Sequence, residues 1–351
     1  MDLNKIFMKG ACPTSIGGQA ILEGIMMRGP KKTAIAVRLS NGQIHLKTEP
    51  TPQLSKWGKV PIIRGVVNFV SSLVGGTKVL MYSADVLEKD YPDEFQKDKF
   101  DIWVEGKLGK ERAWKILMTL SVVLALAISI GVFMLLPTVV TGWISKATDS
   151  ILLLNLVEGI MRIVLFLIYI IAISKMKDIK KVFQYHGAEH KTIHCFENGL
   201  ELTPENAQTF YTLHPRCGTS FLMFVMIIAV LVHSFMGWPN VWIRMGSRIL
   251  VLPLIAGLSY ELLKWAGRSD NWFVKILSLP GIYLQKLTTK EPNFEQLEVA
   301  IAAVKAVLPD REDEPYFEGL CDLEGRPLVE KSEPEENDNS ETNYRAEAEG
   351  C

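Results

Sequence analysis

The sequence predicts a mainly α-helical, polytopic membrane protein with about four transmembrane helices, a small cytosolic N-terminal part containing a β-hairpin, and a disordered acidic C-terminal tail. Of its 351 residues, 48% are hydrophobic, and several long segments carry no charge. Residues 310–351 contain 15 acidic and 4 basic residues, a balance of -11, which leaves 34 basic and 24 acidic residues, or +10, in the body. A basic, apolar body is typical of a membrane surface; it excludes an ordinary soluble globule and argues against DNA binding.

The spacing of cysteines and glycines excludes several types of site. The five cysteines include no C-x-x-C pair, which argues against a disulfide scaffold, a zinc ribbon or a thioredoxin-like site. The glycines match neither a P-loop nor a dinucleotide fingerprint, so no nucleotide is expected. The N-terminus lacks an apolar core, so no cleaved signal peptide is expected.

Residues 1–59 predict a cytosolic unit with β structure. Asn41-Gly42 lies between two runs of strand composition within residues 33–49. This pair favours a two-residue type I′ hairpin, which needs a positive φ at both central positions. Residues 60–115 predict an interfacial helix and a polar linker. The mostly apolar run 60–87 fits either one or two helices at the membrane interface or a buried helix of the cytosolic unit.

Residues 116–290 predict the transmembrane domain, because four segments within them are long and apolar enough to span. The second span contains Glu158 and Arg162, which share a helix face and predict an ion pair. A weaker interpretation, besides the two functional hypotheses given below, is an ion transporter built around these two residues and Glu261. The predicted spans are 116–140, 151–173, 219–238 and 241–263.

Lysines and arginines concentrate in the loop 174–218 and before the first span, so both termini are predicted to be cytosolic. Arg244 and Arg248 depart from this pattern, and either snorkel outward or line an internal cavity. Residues 291–309 predict a cytosolic helix by their periodicity. The acidic residues 310–351 have too little apolar surface to fold and predict disorder.

Four of the six histidines fall within 29 residues of the cytosolic loop. His186, Glu189 and His190 form the pattern H-x-x-E-H, which on a helix places both imidazoles on one face, where they can hold one metal ion. Glu189 is the predicted catalytic base. His194 extends the row but lies about 12 Å from His186 on an ideal helix, so one ion uses either the first or the second histidine pair.

A second group of candidate ligands, His214 and Cys217, lies in the turn just before the third span. Imidazole and thiolate are preferred ligands of zinc, and zinc or another divalent transition metal is the predicted cofactor. Three protein ligands plus water are typical of a catalytic site, and four protein ligands of a structural one. Arg216 lies between these two ligands and is a further site candidate.

The N-terminal glycine motif supplies two more candidates. If Gly17–Gln19 folds against the histidines, Glu23 could act as a ligand or base, and Arg28 could hold an anionic group. The alternative is that the glycines only form turns and the neighbouring methionines only fill the core.

The motifs GGQAILEGIMMRGP, YHGAEHKTIHCFE and HPRCGTSFL occur in this order. Together they resemble the bacterial domain-of-unknown-function family 1385, from about Gly17 to Val307. The resemblance implies a multi-spanning protein of the bacterial cytoplasmic membrane. Members are often labelled metal-dependent enzymes, an inference from the same histidines. Their genes often lie beside genes for translation termination and a ribosomal protein, which implies work near the ribosome or the membrane-insertion machinery.

Two functional hypotheses follow. The first is a membrane metalloenzyme, a hydrolase of a peptide, lipid headgroup or other ester or amide, with a cytosol-facing site. The second is a non-enzymatic membrane-protein biogenesis factor, in which a structural metal joins the loop to the N-terminal motif and a basic face docks on the ribosome or the translocation channel. Membrane lipids are expected partners in both, and a homodimer has no specific sequence signal.

Overall fold

The computed structural model describes residues 14–52, 58, 60–91, 99–237, 240–266 and 271–328. Within these ranges the chain is mainly helical and contains one five-stranded antiparallel sheet. The strands are β1 (Gly17–Ile21), β2 (Gly24–Arg28), β3 (Lys32–Arg38), β4 (Ile44–Pro50) and β5 (Glu318–Cys321). The helices are α1 (Ile63–Asp90), α2 (Lys99–Leu108), α3 (Lys110–Ile130), α4 (Leu136–Ile144), α5 (Ile151–Ile173), α6 (Lys177–Glu197), α7 (Pro204–Gln208), α8 (Thr219–Ser234), α9 (Val241–Ala266), α10 (Trp272–Thr288) and α11 (Phe294–Lys305).

The sheet is a meander in which each strand pairs with its neighbours in the chain. The hairpin predicted around Asn41-Gly42 is confirmed, since β3 pairs with β4 from Arg38 opposite Ile44. The predicted type I′ turn is wrong. Only Gly42 has a positive φ, 82°, and the Leu39 N–H donates to the Gln43 carbonyl at 2.9 Å. A longer loop with glycine in the left-handed position needs one such residue instead of two.

The prediction of a disordered tail from residue 310 onward is wrong for residues 310–328, and residues 329–351 lie outside the described part. Strand β5 pairs with β4, and Cys321 at its end is buried in the core. Arg311 is also buried, and its guanidinium donates to the Gly325 carbonyl. The acidic composition masked a short apolar stretch that completes the edge of the sheet.

One core joins the sheet to α6 and α11. Helix α11 confirms the helix predicted at 291–309, and it begins with a capping box formed by Asn293 and Gln296. Leu297 and Ile301 of this helix pack with Leu46 of the sheet in that core. Each such fully buried aliphatic side chain contributes about 1.5–3 kcal/mol, so this layer fixes α11 firmly against the sheet. Tyr185 and Ala188 of α6 belong to the same core.

Residues 60–87, read either as interfacial or as a buried helix, lie mostly in α1, a single 28-residue helix that packs partly against the sheet. Near its start, a Cβ at Gly65 would lie 2.8 Å from the Cα of Gly257, so α1 packs closely on α9. Further along, Val79 and Leu87 are buried against the sheet, whereas Leu73 between these contacts is 61% exposed. The polar linker predicted at 88–115 is largely helical where it is described, in the end of α1, α2 and the start of α3.

Among the described residues, three helical segments are long and apolar enough to cross a membrane: Thr119–Ile144, Ile151–Ile173 and Val241–Ala266. The first runs from α3 into α4 through a π-helical turn, Gly131–Leu135. The remaining predicted span corresponds to α8, a shorter apolar helix. Helix α10 packs on α8. No helix was predicted from the sequence of residues 264–290.

Candidate metal centre

The centre is built on the middle of α6, where His186 and His190 are one turn apart with ring centroids separated by 4.5 Å. The chain that follows α10 approaches this helix closely. A Cβ at Gly187 would lie 2.0 Å from the Lys290 carbonyl oxygen, so only glycine permits the approach. The contact brings the end of α10 beside the first histidine.

Three ligand atoms converge in the buried space between α6 and the turn before α8. His186, His190 and Cys217 each offer one ligand atom, and these three atoms lie within 4.8 Å of one another. Among the described residues, this is the one group of three potential metal ligands so close together. The His186 Nε2 is 3.1 Å from the Cys217 Sγ. His190 is buried, with 1% of its surface exposed, and its Nε2 has no hydrogen-bond partner within the described structure.

The outer nitrogens of both rings contact backbone carbonyls. The His186 Nδ1 lies 2.8 Å from the Thr288 oxygen, and the His190 Nδ1 lies 2.5 Å from the Thr212 oxygen. A carbonyl oxygen only accepts, so each Nδ1 carries the hydrogen. In the neutral tautomer each Nε2 then presents a lone pair to the centre, which is the arrangement that orients metal-binding histidines.

The electrostatics of the protein groups at the centre favour a charged thiolate. Burial alone would raise the pKa of the Cys217 thiol, but His190 and His186 beside it hold this pKa well below its ordinary value. Burial likewise opposes charge on His186, but the Cys217 thiolate raises the pKa of His186 to about 9. A metal ion that binds here therefore displaces a proton from the centre.

Glu189 is buried and connects the centre to the N-terminal motif. Its Oε1 accepts a hydrogen bond from the Gly18 N–H at 2.8 Å. Burial raises the pKa of Glu189, while His190 and His186 act to lower it. A Cβ at Gly18 would lie 3.1 Å from the carboxylate carbon of Glu189 and 2.6 Å from the Met26 carbonyl oxygen, so glycine allows β1 to approach the carboxylate.

His194 and His214 lie beside the three-residue group and outside it. Their rings are 4.5 Å apart, and the His194 Nε2 lies 3.0 Å from the Leu213 carbonyl. The His214 Nε2 is 3.8 Å from the Glu197 Oε2. Burial lowers the pKa of His194 to about 4 and that of His214 to about 3, so both are neutral at pH 7.

Arg216 holds this outer layer together. Its guanidinium donates to the Glu197 carboxylate and, at 3.0 Å, to the Thr14 carbonyl. The Thr14 N–H donates to Glu197 at 2.8 Å. Burial would raise the pKa of Glu197, but His214, Thr14 and Arg216 together lower it to about 2.

Three other candidates contact different partners. Glu23 has a positive φ of 46°, and its carboxylate pairs with Lys181. The Arg28 guanidinium is exposed and donates to the Pro52 carbonyl at 2.9 Å. Glu261 pairs with Arg64 on α1. Of the N-terminal motif, Gly18 contacts Glu189 at the centre, whereas Glu23 contacts the first turns of the same helix.

The residues that orient the centre were missed from the sequence. Thr212 and Thr288 act through backbone carbonyls, which leave no trace in residue identity. Gln285 is fully buried; its Oε1 accepts from the His214 N–H at 2.8 Å and its Nε2 donates to the His214 carbonyl at 2.9 Å. A glutamine within the apolar α10 was the one available signal.

The fold and the site define a class: a mainly helical protein with helices of membrane-spanning length and a buried His–His–Cys centre beside a small sheet. The chain belongs to the family described as "Protein of unknown function (DUF1385)", whose model matches residues 60–310. The family predicted from the three motifs is thereby confirmed, and the matched range begins after the first motif. The chain is 35% identical over 310 residues to the uncharacterized protein YqhQ of Bacillus subtilis (strain 168), an alignment that covers 86% of this chain and 94% of that protein. No solved structure matches the chain.

Proposed function

We propose that this protein is an integral membrane, metal-dependent hydrolase whose zinc ion is held by His186, His190 and Cys217. The observation that carries the proposal is the buried Nε2 of His190, which has no hydrogen-bond partner among the described residues and lies in one group with a thiolate and a second imidazole. Leaving a buried polar atom without a partner costs about 1–3 kcal/mol, and coordination of a metal removes this cost.

The donor set fits zinc and a catalytic role. Two imidazoles and one thiolate are ligands that zinc accepts, and three protein ligands are the pattern of catalytic zinc sites. Bound zinc supplies a Lewis acid that activates water and polarises an ester or amide carbonyl. Glu189 is the general base: the Gly18 N–H orients one carboxylate oxygen, and the other accepts the proton from the attacking water.

In this proposal four helices span the bacterial cytoplasmic membrane, α8 being the third, and both termini are cytosolic. The lysines at the start of α6 then face the anionic inner surface. Arg244 and Arg248 depart from the rule that positive residues lie on the cytosolic side. Both are buried, with 3% and 4% of their surface exposed. Arg244 donates to the Thr138 carbonyl, and Arg248 donates to the Glu158 carboxylate. Their burial in a protein-internal network explains the departure.

A second candidate function is a membrane-protein biogenesis factor with a structural metal site. The observation that favours it is the hydrogen bond from Gly18 to Glu189, which ties the N-terminal sheet to the histidine helix. In this case the centre holds two parts of the chain together, and the basic cytosolic face contacts the ribosome or the translocation channel.

Metal analysis and hydrolysis assays on the detergent-purified protein separate the two. We expect about one equivalent of zinc in the wild type, its loss in His190→Ala, and its retention in the control His45→Ala, whose ring contacts Tyr82 on another face. Glu189→Gln should keep the metal and lose hydrolysis of a panel of ester, amide and lipid substrates. A protein without stoichiometric metal after growth with zinc, iron and manganese overturns the proposal. Two results together favour the biogenesis factor. The wild type binds metal but hydrolyses no substrate, and Glu189→Gln makes the N-terminal sheet more sensitive to proteolysis.

A further inference from the structure

Helix α10 lies against the segment that holds Cys217, the part of the chain just before α8. Its closest approach is at Gly281, where a Cβ would lie 2.7 Å from the Cβ of Ser220 at the start of α8. Gln285 follows four residues later and therefore projects from the same face of α10. It is 0% exposed, so the helix presents a fully buried amide to this segment.

The Gln285 amide holds the segment on both sides of Cys217. Its Oε1 accepts from the His214 N–H at 2.8 Å, and its Nε2 donates to the His214 carbonyl at 2.9 Å. The Nε2 also donates to the Ser220 hydroxyl at 3.1 Å, so both amide hydrogens are used. One side chain thus fixes both ends of the stretch 214–220, whose middle residue is Cys217.

Within this stretch, local hydrogen bonds fix the Cys217 sulfur. The Thr219 N–H donates to the Sγ at 3.4 Å, and the Thr219 hydroxyl lies 3.2 Å from it. The Cys217 N–H donates to the His214 carbonyl at 3.3 Å, the same oxygen that Gln285 contacts. The sulfur therefore moves with the stretch, and Gln285 holds the stretch on α10.

The end of α10 is also connected to both histidine ligands. Thr288, its last residue, supplies the carbonyl oxygen that lies 2.8 Å from the His186 Nδ1. The next residue, Thr289, has its hydroxyl 3.4 Å from the hydroxyl of Thr212, whose carbonyl contacts the His190 Nδ1. This end of the chain segment therefore contacts, directly or through one residue, the groups that orient all three ligands.

A buried amide is not needed merely to pack α10 on α8. Apolar side chains pack helices without losing hydration, whereas a buried amide must replace the hydrogen bonds that it gives up to water. Gln285 replaces them with bonds to the one stretch that carries the sulfur ligand. Its removal would leave the backbone groups of His214 without this partner, so stability falls in any case, and a test of positioning needs other readouts.

We propose that Gln285 is a positioning residue of the metal centre: it keeps the Cys217 thiolate within reach of the ion, and α10 thereby sets the places of Cys217 and His186 together. The inference rests on the metal site of the proposed function and not on the hydrolysis assigned to it. Without the three hydrogen bonds, the stretch 214–220 separates from α10, and the bound ion retains two imidazoles but loses the sulfur. Gln285 acts through Cys217 and not on the ion.

The test uses the full detergent-purified chain with cobalt(II), which in place of zinc signals a thiolate ligand by a near-ultraviolet charge-transfer absorption. Gln285→Met removes the amide at nearly constant volume. We expect it to weaken this absorption while cobalt still binds, and to raise the zinc Kd about 10–100-fold, the usual effect of a lost orienting contact. Gln296→Met is the matched control. Gln296 is also buried but caps α11, so its loss should reduce stability and leave the absorption and the Kd unchanged.

A double-mutant comparison separates positioning from a general loss of structure. With Cys217→Ser already present, Gln285→Met should change the zinc Kd little further, because its effect passes through the sulfur. Fully additive effects, or a wild-type absorption and Kd in Gln285→Met, overturn the inference.

If Gln285→Met does not fold, Ser220→Ala decides. It removes one of the three contacts of the amide and should weaken the absorption to a smaller extent, and an unchanged absorption contradicts the proposal. A wild type that binds no cobalt, or binds it without the thiolate absorption, removes the inference together with Cys217 as a ligand. Hydrolysis, measured separately, decides the enzymatic role.

Discussion

The histidine–cysteine centre on α6 and the arginine–glutamate cluster in the apolar helices are both buried, yet they arrange their polar groups differently. At the centre, backbone carbonyls fix the outer nitrogens of His186 and His190 and direct the inner nitrogens toward Cys217. In the cluster, charged donors surround the carboxylate of Glu158. Neutral imidazoles and a thiolate suit a soft or borderline metal cation, whereas the guanidinium groups of Arg162 and Arg248 are paired with a carboxylate of the chain itself. The type of buried polar group, and not burial itself, decides whether a region fits an external ligand or is satisfied within the chain.

The largest effect is expected from Glu158→Ala. The substitution leaves Arg248 and Arg162 buried without their carboxylate, and breaking one side of a buried ion pair costs about 3–5 kcal/mol. Thermal unfolding in detergent should show a large loss of stability, while zinc binding of the remaining folded protein is unchanged. Glu261→Ala, which breaks the more exposed pair with Arg64, is the control and should cost much less. Equal losses in the two variants would mean that the cluster is not a stability centre.

Cys217→Ser sharpens the contrast at the metal centre. A hydroxyl replaces the thiolate ligand, and zinc affinity should fall by more than about 100-fold, since loss of an outer contact alone costs about 10–100-fold. Chelator competition measures the affinity. Cys195→Ser, at another buried cysteine on the same helix as the histidines, should retain zinc binding. Unchanged affinity in Cys217→Ser would remove this residue from the ligand set.

Gly187→Ala tests whether the approach of the chain after α10 orients the centre. The added Cβ would meet the Lys290 carbonyl at 2.0 Å and displace the segment whose Thr288 oxygen contacts His186. Zinc affinity should fall about 10–100-fold, the usual effect of a lost orienting contact. Gly218→Ala, which introduces a methyl into open space beside Cys217, is the matched control and should bind zinc normally.

The smallest effect is expected from Glu197→Gln, and it should be present at neutral pH and disappear in acid. The pKa of Glu197 falls from 4.5 to about 2 on folding, so its ionised form stabilises the fold above pH 4.5. That stability is lost as the pH falls from 4.5 toward 2. The metal-free wild type should therefore lose stability more steeply over this range than the variant in equilibrium unfolding. Parallel curves would show that the contact with Arg216 does not contribute.

Local pattern was sufficient for several parts of the fold. The hairpin, helix α11 and the apolar helices follow from composition and periodicity over short windows. The position of Gly42 in a left-handed turn is likewise local, although the turn type depends on how the flanking strands register. Strand β5 was missed because its partner lies some 270 residues away in the chain, between His45 and Leu320 for example.

The candidate site divides in the same way. Spacing alone placed His186 and His190 on one helix face and singled out Glu189 beside them. It could not rank Cys217, His194 and His214, because that choice depends on the turn before α8. The structure brings the Cys217 sulfur to 3.1 Å from His186, while His194 and His214 contact Leu213 and Glu197.

The sequence by itself determined the apolar helices, the hairpin, the histidine pair with its glutamate, and the pairing of Glu158 with Arg162, because each depends on residues within a turn or two of one another. Only the tertiary structure decided that Cys217 joins the histidines, that Gly18 contacts Glu189, and that Arg248 joins Arg162 at the carboxylate of Glu158. These contacts join distant segments through backbone atoms and packing, and no local pattern of residue types encodes them.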